Sequence, residues 1–569
     1  MRSMGIESKI CPSCGQKNNP IFQACWKCKA SLKNASRQKA EPPLRAKRLH
    51  PSQIKETNLE KISRSLSFKS CTVIGIDLGT SNSRVCGIKD GRLVIIPNKF
   101  GEYSSPSTVM LTTYGGWYVG HEARNHAKRF EFKNFVAGTI KRKILKERGT
   151  FWNGQKQHPQ FLFALILAML KKQAEEFLGC PISGAVLSVP ASFGVDERQI
   201  IKDAGEIAGI KVLRLINEPT AASLVYGMNP ALGELTLFVY DLGGGTFDAS
   251  IIKTGECIIE VKGTCGDMSL GGKDFDDRLM DYLCQEIASK FQFDVKKDSV
   301  ACMRLEEAAE EAKKNLSFSE SVELSIPYFY KGECLNLVVK RSLLEEITKD
   351  LVEKSLEICK QALNTADLSK DDIDGVLLIG GQTRMPAVRR AVERFFGNKI
   401  VPGVDPETLV VRGNTLQSAV LAGDLKDCFL LDVQSHPLGI GVAENKFVEL
   451  IGRNTTIPTR KSEIFSTTKD NQTSIAFQIY EGKETDVMQN RSIGSLSMES
   501  IFLAKAGTPK IEITFDVDAN GMLIVSACDL GTGKSNKEIL VSKEKLSRSD
   551  MLGLYNMVHK WIKSENSCA

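Results

Sequence analysis

The feature that most constrains this chain is a turn motif that occurs twice, each time directly after an apolar run typical of a buried strand. The first copy reads Ile76-Asp77-Leu78-Gly79-Thr80-Ser81, and the second reads Tyr240-Asp241-Leu242-Gly243-Gly244-Gly245-Thr246. Glycines in such turns let backbone N–H groups approach phosphate oxygens, because no Cβ stands in the way. Threonine hydroxyls add donors, and each aspartate offers an oxygen ligand to Mg²⁺ or its waters. Two opposed turns of this kind predict a clamp around a nucleoside triphosphate and its magnesium ion.

A third turn supports a nucleotide site. The apolar segment Leu377-Leu378-Ile379 ends in Gly380-Gly381, and Gln382-Thr383-Arg384 follows. Paired glycines at a strand end allow close approach of a flat base or sugar. A single turn of this type occurs in many hairpins that bind no ligand, so three ordinary strand ends stay an alternative explanation.

The segments between these turns resemble the Hsp70 (DnaK-type) chaperone family, from about Cys71 to about Lys543. The strings that carry the resemblance are VPASF at 189–193, KDAG at 202–205, NEPTAA at 217–222, GGKDFD at 271–276 and EEAKK at 310–314. Kinship of fold with actin or sugar kinases would account only for the two clamp turns. The resemblance therefore implies a more specific family than the turns alone.

What the resemblance implies first is an actin-like α/β ATPase domain at residues 71–426, with two lobes around a cleft for ATP or ADP and Mg²⁺. The matching nucleotide-binding positions are Asp77, Gly79, Thr80, Ser81, Gly243, Gly244, Gly245, Glu310, Lys313, Lys314, Ser317, Gly380, Gly381 and Arg384. The matching catalytic positions are Lys141, Glu218, Asp241, Asp248 and Thr246. Asp77 and Asp241 are expected to hold Mg²⁺ largely through water, and Thr80 and Thr246 are expected to contact the γ-phosphate. Without the resemblance, Lys141 would be interpreted as one more basic residue in a cluster that runs to Arg148. Residues 308–316 would be interpreted as a surface helix stabilised by salt bridges.

Two departures from the family lie beside the expected catalytic lysine. Only 17 residues separate Lys141 from Pro159, where the family usually has a longer, strand-bearing insertion. Ser192 and the residues 194–196 replace the tyrosine, asparagine and aspartate usual in the family. The rate of hydrolysis is therefore harder to predict than nucleotide binding.

Residues 427–432 form a short apolar strip between acidic residues, which alone could be one more edge strand. The resemblance implies an interdomain linker that docks on the ATPase domain. Positions that match the family's relay and its coupling and J-domain docking residues are Pro190, Arg198, Lys202, Arg214, Asn217, Thr220 and Asp432.

Residues 433–545 are expected to form an all-β sandwich that binds peptides. Residues 511–517 alternate between apolar and polar side chains, and Asn520-Gly521 then turns the chain into a second strand. The resemblance implies an apolar peptide pocket formed by Ile440, Phe465 and Ile475. In the arch over this pocket Ala443 replaces a bulky residue and Thr468 a small one.

At residues 546–569 the family's long helical lid is expected to be reduced to one helix. Ser549 and Asp550 can cap this helix, and it is expected to run to about Lys563.

Four of the sixteen cysteines lie within the first thirty residues, as two Cys-x2-Cys pairs: Cys11 with Cys14, and Cys25 with Cys28. Four thiolates at this spacing can surround Zn²⁺ tetrahedrally, so residues 1–30 are predicted to be a zinc ribbon. A disulfide pair and a redox Cys-x-x-Cys stay as alternatives. Residues 31–70 are basic and poor in apolar side chains, which predicts a disordered linker. Its cluster at 45–48 is more typical of a solvated tether than of a site for nucleic acid or an acidic protein.

Composition is that of a large globular protein: 569 residues, 42% hydrophobic and 25% charged, with a net charge of +7. The longest apolar run, 161–170, is too short to span a bilayer, and residues 1–10 lack an apolar signal core, which favours a cytoplasmic address. We therefore expect an Hsp70-like, ATP-dependent chaperone for extended apolar polypeptides that works with a J-domain co-chaperone and a nucleotide-exchange factor. Two alternatives stay open: a nucleotide-sensing adaptor targeted by its zinc ribbon, with little turnover, and an actin-like or sugar-kinase transferase.

Overall fold

The computed structural model describes residues 8–10, 17–18, 37–38, 72–111, 116–127, 135–136, 141–142, 150–152, 155–229, 232–255, 257–425, 428–536 and 539–567. The chain divides into two compact units, Met1–Leu49 and His50–Ala569. In the first unit, Ser8–Ile10 pairs antiparallel with Lys17–Asn18 and with Arg37–Gln38. Arg37–Gln38 lies within residues 31–70, the expected linker, whose other residues lie outside the described part of the chain. The four N-terminal cysteines lie outside the described residues.

The second unit begins with a first lobe built on one mixed sheet. Its strand order is Lys211–Asn217, Gly184–Val189, Val73–Asp77, Asn82–Lys89 and Arg92–Ile95, with Ser105–Pro106 paired to Asn82–Lys89. The first three strands are parallel to one another, and the next two pair antiparallel. The helices packed about this sheet are Pro159–Leu178, Val195–Ile207, Glu218–Gly227 and Leu409–Leu421. Side chains from Phe161 to Ala168 are all buried, because the helix that carries them lies inside the lobe.

Smaller elements complete the first lobe. Val109–Leu111 pairs with Trp117–Val119 and Phe135–Val136, and the short helix His121–Ala127 follows. In the shortened segment after the expected catalytic lysine, Thr150–Trp152 and Gln155–Gln157 form a two-stranded hairpin.

The second lobe is built on another six-stranded sheet. Its strand order is Gly375–Ile379, Leu235–Leu242, Phe247–Gly255, Ile258–Asp267, Phe429–Val433 and Thr456–Ile457. The remaining elements of the lobe are the helices Gly272–Phe291, Ser299–Asn315, Arg341–Ile347, Lys349–Thr365 and Pro386–Phe396, and the hairpin of Ser321–Tyr330 with Glu333–Lys340. Short 3-10 turns lie at Val295–Lys297, Lys370–Asp372 and Gly381–Arg384.

Most of the expected linker, residues 427–432, lies in the strand Phe429–Val433, which is fifth in the order of the second-lobe sheet. Phe429–Val433 pairs parallel with Ile258–Asp267, and Phe429 N donates to the carbonyl of Cys257 at 2.9 Å. Thr456–Ile457 then pairs antiparallel with Phe429–Val433. This continuous pairing joins the α/β region directly to the β region that follows.

That β region consists of two four-stranded antiparallel sheets, as the sequence predicts. One sheet has the order Lys446–Ile451, Leu438–Val442, Ser474–Glu481 and Arg491–Glu499, and the other Thr459–Phe465, Ile511–Val517, Leu523–Asp529 and Ile539–Leu540. Short 3-10 turns lie at Ala443–Asn445 and Val487–Gln489. Ile440, Ile479, Ile513, Phe515 and Val525 are fully buried in one shared core between the sheets. The Asn520-Gly521 turn lies where the sequence places it, and Gly521 adopts a left-handed φ of +74°.

The chain ends in the helix Arg548–Ser567. Its cap is Ser547, whose Oγ accepts from Asp550 N at 3.1 Å, so the expectations of a cap at Ser549 and an end near Lys563 are wrong. Val558 is fully buried in the core of the first lobe, and Trp561 Nε1 donates to the carbonyl of Trp117 at 2.9 Å. The helix thus uses its apolar face on the first lobe, against the helices Pro159–Leu178 and Val195–Ile207.

Within the part of the chain that the structure describes, no helix is both long enough and apolar enough to cross a membrane.

Candidate functional site

The two glycine turns of the sequence motif face each other across the gap between the lobes. A Cβ atom at Gly244 would lie 2.3 Å from Ser81 Oγ, and one at Gly245 would lie 2.6 Å from Thr80 Cγ2. A third segment closes on the same point, because a Cβ at Gly271 would lie 2.5 Å from the backbone of Gly245. The absence of side chains at these glycines is therefore what allows the turns to meet and to present backbone N–H groups to one ligand.

A cleft of about 400 Å³ opens at this meeting point. Of the residues expected to bind or act on nucleotide, the cleft is lined by Asp77, Gly79, Thr80, Ser81, Lys141, Glu218, Asp241, Gly243, Gly244, Thr246, Glu310, Lys313, Lys314, Ser317, Gly380, Gly381 and Arg384. Two expected residues do not line it, Gly245 and Asp248. Thr80 and Gly271 pack against Gly245, and Asp248 is buried one layer below, where it accepts from Ser192 N at 3.1 Å.

Several lining residues were missed from the sequence: Asn82, Arg84, Gly272, Lys273, Asp276, Phe318, Gln382, Pro406, Glu407 and Val410. For some of them a signal was present, since Gly272, Lys273 and Asp276 belong to the 271–276 string and Gln382 to the third turn. Arg84 and Glu407 carry no such signal, because only the strand register and the turn before the helix Leu409–Leu421 bring them into the cleft.

Lys141 lines the cleft as a buried basic side chain, with an exposure of 3%. Its Nζ donates to the carbonyl of Leu78 at 2.8 Å and to Glu218 Oε1 at 2.9 Å. The neighbouring Arg142 donates to both carboxylate oxygens of Asp274, at 2.9 and 2.8 Å. Since Asp274 lies in the first turn of the second-lobe helix Gly272–Phe291, this pair holds the Lys141 segment across the cleft despite the shortened segment that follows it.

Buried carboxyl groups surround Lys141. Burial, reinforced by repulsion from Glu218, raises the pKa of Asp77 to about 6 and that of Asp248 to about 7. Burial also raises the pKa of Asp241 well above its usual range, and Glu218, Asp248 and Asp77 add to the rise. A group of acids with pKa values raised in this way is characteristic of a functional cleft rather than of a structural ion pair.

These acids fit a site for Mg²⁺. Asp248 Oδ2 is buried and has no hydrogen-bond partner among the described residues. A divalent cation nearby would relieve the mutual repulsion of the carboxylates. Within the described residues, no three His, Cys, Asp or Glu side chains converge closely enough to hold a metal ion by themselves.

The helix Ser299–Asn315 forms the opposite wall of the cleft. Asp298 caps it by accepting from Val300 N and Ala301 N, both at 3.0 Å. Lys313 Nζ donates to the carbonyl of Gly272 at 2.8 Å and lies 2.9 Å from Asp276 Oδ1, which fixes the helix to the glycine turns. These contacts leave the same helix face, with Glu310 and Lys314, at the cleft wall.

The linker carboxylate of Asp432 is buried in the first lobe. Its Oδ1 accepts from Asn217 Nδ2 at 2.7 Å, and its Oδ2 accepts from Thr220 Oγ1 at 3.1 Å. Arg198 Nη2 donates to Asn217 Oδ1 at 2.6 Å, and Arg198 Nη1 to the carbonyl of Asn520 in the β region at 3.2 Å. Linker, first lobe and β-sandwich thus share one hydrogen-bonded network.

The other expected coupling residues lie close to this network. Pro190 is buried and accepts from Phe193 N at 3.1 Å, in the loop that also receives Arg198 Nε. Burial lowers the pKa of the half-buried Arg214 guanidinium, and the nearby Asp432 opposes that shift. Lys202 is half-buried on the helix Val195–Ile207.

A second cluster of contacts joins the lobe to the sandwich. Arg491 Nη2 lies 2.8 Å from Asp196 Oδ2, and Arg491 also pairs with Glu197. Ser542 Oγ donates to Asp196 Oδ1 at 2.7 Å. The carboxylates of Asp196 and Glu197 thus supply ion pairs between the first lobe and the sandwich.

The expected peptide-pocket residues are brought together in the sandwich, with one difference. Phe465 and Ile475 are half-buried at the edge of the core, and the rings of Phe465 and Phe477 lie 5.9 Å apart. Ile440, expected with them in the peptide pocket, is fully buried. The reason is that Leu438–Val442 is a central strand, whose inward side chains are covered by both sheets. The arch residues Ala443 and Thr468 are exposed.

Comparison with known protein families gives one match that spans most of the chain. A family model described as Hsp70 protein matches residues 73–567. The match includes both lobes, the linker strand, the sandwich and the C-terminal helix, and it does not include the cysteine-rich N-terminal segment.

Proposed function

The chain belongs to the Hsp70 family, and we propose that it is a DnaK-type chaperone that binds extended apolar polypeptide segments in its β-sandwich and releases them under control of ATP. Members of this family are ATPases that use ATP or ADP with Mg²⁺. They bind unfolded polypeptides and work with J-domain co-chaperones and nucleotide-exchange factors. Beyond these properties of the family, we propose which kind of polypeptide this chain binds, which residues bind the nucleotide, and how the two sites are coupled.

The observation that carries the proposal is the position of the Lys141–Glu218 pair between the two glycine turns. The lysine is buried, and its Nζ donates to both the carbonyl of Leu78 and the carboxylate of Glu218. A preorganised cation of this kind stabilises charge that develops on a transferring phosphoryl group, and it costs no reorganisation at the moment of reaction.

The residues around the lysine would divide the remaining work. Mg²⁺, when bound near Asp77 and Asp241, supplies charge neutralisation for the phosphates. Glu218 orients Lys141, and the Thr80 and Thr246 hydroxyls add donors at the glycine turns. Asp248 lies one layer below the cleft, so it would accept a proton from the attacking water through one intervening water molecule, and its pKa of about 7 suits that role at neutral pH.

Support for coupling comes from the linker. Asp432 is 5% exposed and is bonded to first-lobe residues that lie directly before and inside the helix Glu218–Gly227. Glu218 itself opens that helix and contacts Lys141. Glu218, which contacts Lys141, is therefore the chain neighbour of Asn217, which holds the linker carboxylate. A rearrangement at the lysine can reach the linker through these two adjacent residues.

The decisive experiment is steady-state ATP hydrolysis with and without an extended apolar peptide. The proposal expects turnover that the peptide stimulates. Tight ATP binding without turnover would instead favour a nucleotide-sensing adaptor, and a phosphorylated small-molecule product would favour a transferase. The sandwich and the buried linker have no role in a transferase, which weighs against that alternative.

We further propose that the protein acts in the cytoplasm.

We also propose that residues 1–30 are a zinc ribbon. We expect about one Zn²⁺ per chain by elemental analysis, since four thiolates complete a closed tetrahedral site. Cys11→Ser and Cys25→Ser should each lose the metal and leave ATP binding unchanged. Cys528→Ser, which removes a single half-buried thiol from the sandwich, is the matched control. Less than half an equivalent of zinc in the parent protein, with Cys11 and Cys25 freely alkylated, would contradict the ribbon.

Bound peptides are expected to leave quickly even with ADP in the cleft. Burial of one leucine-like side chain contributes roughly 1.5–3 kcal/mol, and backbone hydrogen bonds add register. The helix Arg548–Ser567 packs on the first lobe, and the exposed Ala443 and Thr468 form a reshaped arch. Because affinity differences among related complexes lie mostly in the dissociation rate, the deficit should appear in koff.

The measurement for this prediction is release of a fluorescent peptide from the ADP-bound protein, beside a family member with a full lid. We expect a residence time at least about tenfold shorter than that of the lidded protein. An equally long residence time would mean that another part of the assembly closes the site.

A further inference from the structure

Arg84 is a basic residue that lines the cleft close to the third glycine turn. It lies on the strand Asn82–Lys89, and in the antiparallel pair with Val73–Asp77 it stands directly opposite Asp77. Residues directly opposite in such a pair project from the same face of the sheet. The strand register therefore turns Arg84 toward the cleft, and its side chain is only 11% exposed.

The partner of Arg84 comes from a distant part of the chain. Arg84 Nη2 donates to Glu407 Oε2 at 2.8 Å, and Glu407 lies in the turn before the helix Leu409–Leu421. The other carboxylate oxygen, Glu407 Oε1, lies 3.8 Å from Arg384 Nε. One carboxylate thus stands between two guanidinium groups, one from each lobe.

This carboxylate also lies against the paired glycines of the third turn. A Cβ at Gly381 would lie 2.9 Å from Glu407 Oε1, and Gly380 N donates to the carbonyl of Pro406 at 2.9 Å. Arg384 is held a second time, because its Nη2 donates to Asp405 Oδ1 at 2.8 Å. The segment 405–407 therefore holds both the glycine turn and the arginine that follows it, and Glu407 is the member whose carboxylate lies against Gly381.

We propose that Arg84 is a positioning residue for the nucleoside part of the ligand: it holds Glu407 against the Gly380-Gly381 turn and so sets the position of Arg384. This inference rests on the proposed nucleotide site and deepens it. Without Arg84, the Glu407 carboxylate is free to turn toward Arg384 alone, which moves a wall of the cleft that a flat base or sugar must meet.

Charge alone would give a different result. Removing the Arg84 cation should weaken binding of an anionic ligand, whereas removing the Glu407 anion should strengthen it. Positioning predicts instead that both losses weaken binding, that they weaken adenosine as much as ADP, and that the second loss adds little to the first.

The test is calorimetric titration of the full chain with adenosine and with ADP. Arg84→Met and Glu407→Gln should each weaken both ligands about tenfold, which corresponds to about 1.4 kcal/mol. The double variant should be no weaker than either single variant, and Arg84→Lys should recover binding to within about threefold of the parent. Arg278→Met, which removes an exposed arginine paired with Asp350 away from the cleft, is the matched control and should change nothing. Melting temperatures show whether each variant is folded.

Three results would overturn the proposal. The first is a weaker Kd for ADP with an unchanged Kd for adenosine, which would place Arg84 on the phosphates. The others are losses of affinity that multiply in the double variant, and an unchanged Kd for both ligands. A parent protein that binds neither ADP nor adenosine would refute the nucleotide site itself, and this outcome is distinct from the other three.

Discussion

Replacement of Lys141 by alanine is expected to reduce ATP turnover by at least about 100-fold and to change the Kd for ATP by less than about threefold. Loss of a single preorganised group that stabilises transition-state charge typically costs a factor of about 100 to 1,000 in kcat. Lys141 is already occupied by Leu78 and Glu218 in the structure, so its ammonium group contributes little that is new when the ligand first binds. Its effect belongs to the charge that develops during transfer.

The pH profile gives a second readout for the same variant. The Lys141 cation lowers the pKa of Asp77, Asp241 and Asp248, against the larger opposing effect of burial. Without the lysine these pKa values rise further, so the carboxyl groups stay protonated to a higher pH. If Asp248 accepts the proton, the acid limb of the residual activity should move upward from its parent position near pH 7.

Single-turnover kinetics and equilibrium titration separate the two expectations for Lys141. Lys141→Met, which keeps most of the side-chain volume, tests whether cavity formation contributes. Lys349→Ala removes an exposed lysine from a second-lobe helix and should leave turnover unchanged. Turnover of Lys141→Ala at the parent rate would show that another cation, from beyond the shortened segment, serves the phosphates.

The parts of this site that the sequence predicts are those with a local signal. Apolar runs ending in Asp77 and Asp241 give buried strands, and the glycines after them give turns, because both properties depend on neighbours in the chain. The register of the strands and the meeting of the turns then follow from the fold of the family. The same reasoning places the Asn520-Gly521 hairpin correctly.

What the sequence does not predict depends on distant partners. Arg84 and Glu407 are 323 positions apart and meet only through the packing of the helix Leu409–Leu421. Asp248 is the register partner of Asp241 on the neighbouring antiparallel strand, and it lies below the cleft because the distant segment at Ser192, whose N–H donates to it, covers its carboxylate. Ile440 is covered for a similar reason, since the sheet order places its strand in the centre. Burial and register are properties of the packed sheet, and a single strand does not reveal them.

Replacement of Asp432 by alanine is expected to uncouple the two halves of the molecule. The carboxylate accepts from Asn217 and Thr220 and opposes the lowering of the pKa that burial imposes on Arg198 and Arg214. Its loss leaves the buried donors of Asn217 and Thr220 without this acceptor and removes one of the carboxylates that compensate the two buried arginines. An unpaired buried group costs about 1–3 kcal/mol, so a loss of about 2 kcal/mol would shift the docking equilibrium about 30-fold toward the undocked form.

Two assays read this shift. Addition of ATP should speed release of a bound peptide in the parent protein and should have at least about tenfold less effect in Asp432→Ala. Stimulation of ATP hydrolysis by peptide should be lost in the same variant, while the Kd for ATP stays within about threefold. We expect both losses, because both effects are proposed to pass through the same Asp432 contacts.

The matched control is Asp516→Ala, since Asp516 is a half-exposed aspartate of the sandwich whose nearest cation, Arg460, lies 3.9 Å away at the surface. It should leave both assays unchanged. Retention of ATP-triggered release in Asp432→Ala would assign the coupling to the second contact cluster, in which Arg491 pairs with Asp196 and Glu197. In that case Arg491→Met should abolish coupling where Asp432→Ala does not, and the buried linker carboxylate would serve only to anchor the strand Phe429–Val433 to the first lobe.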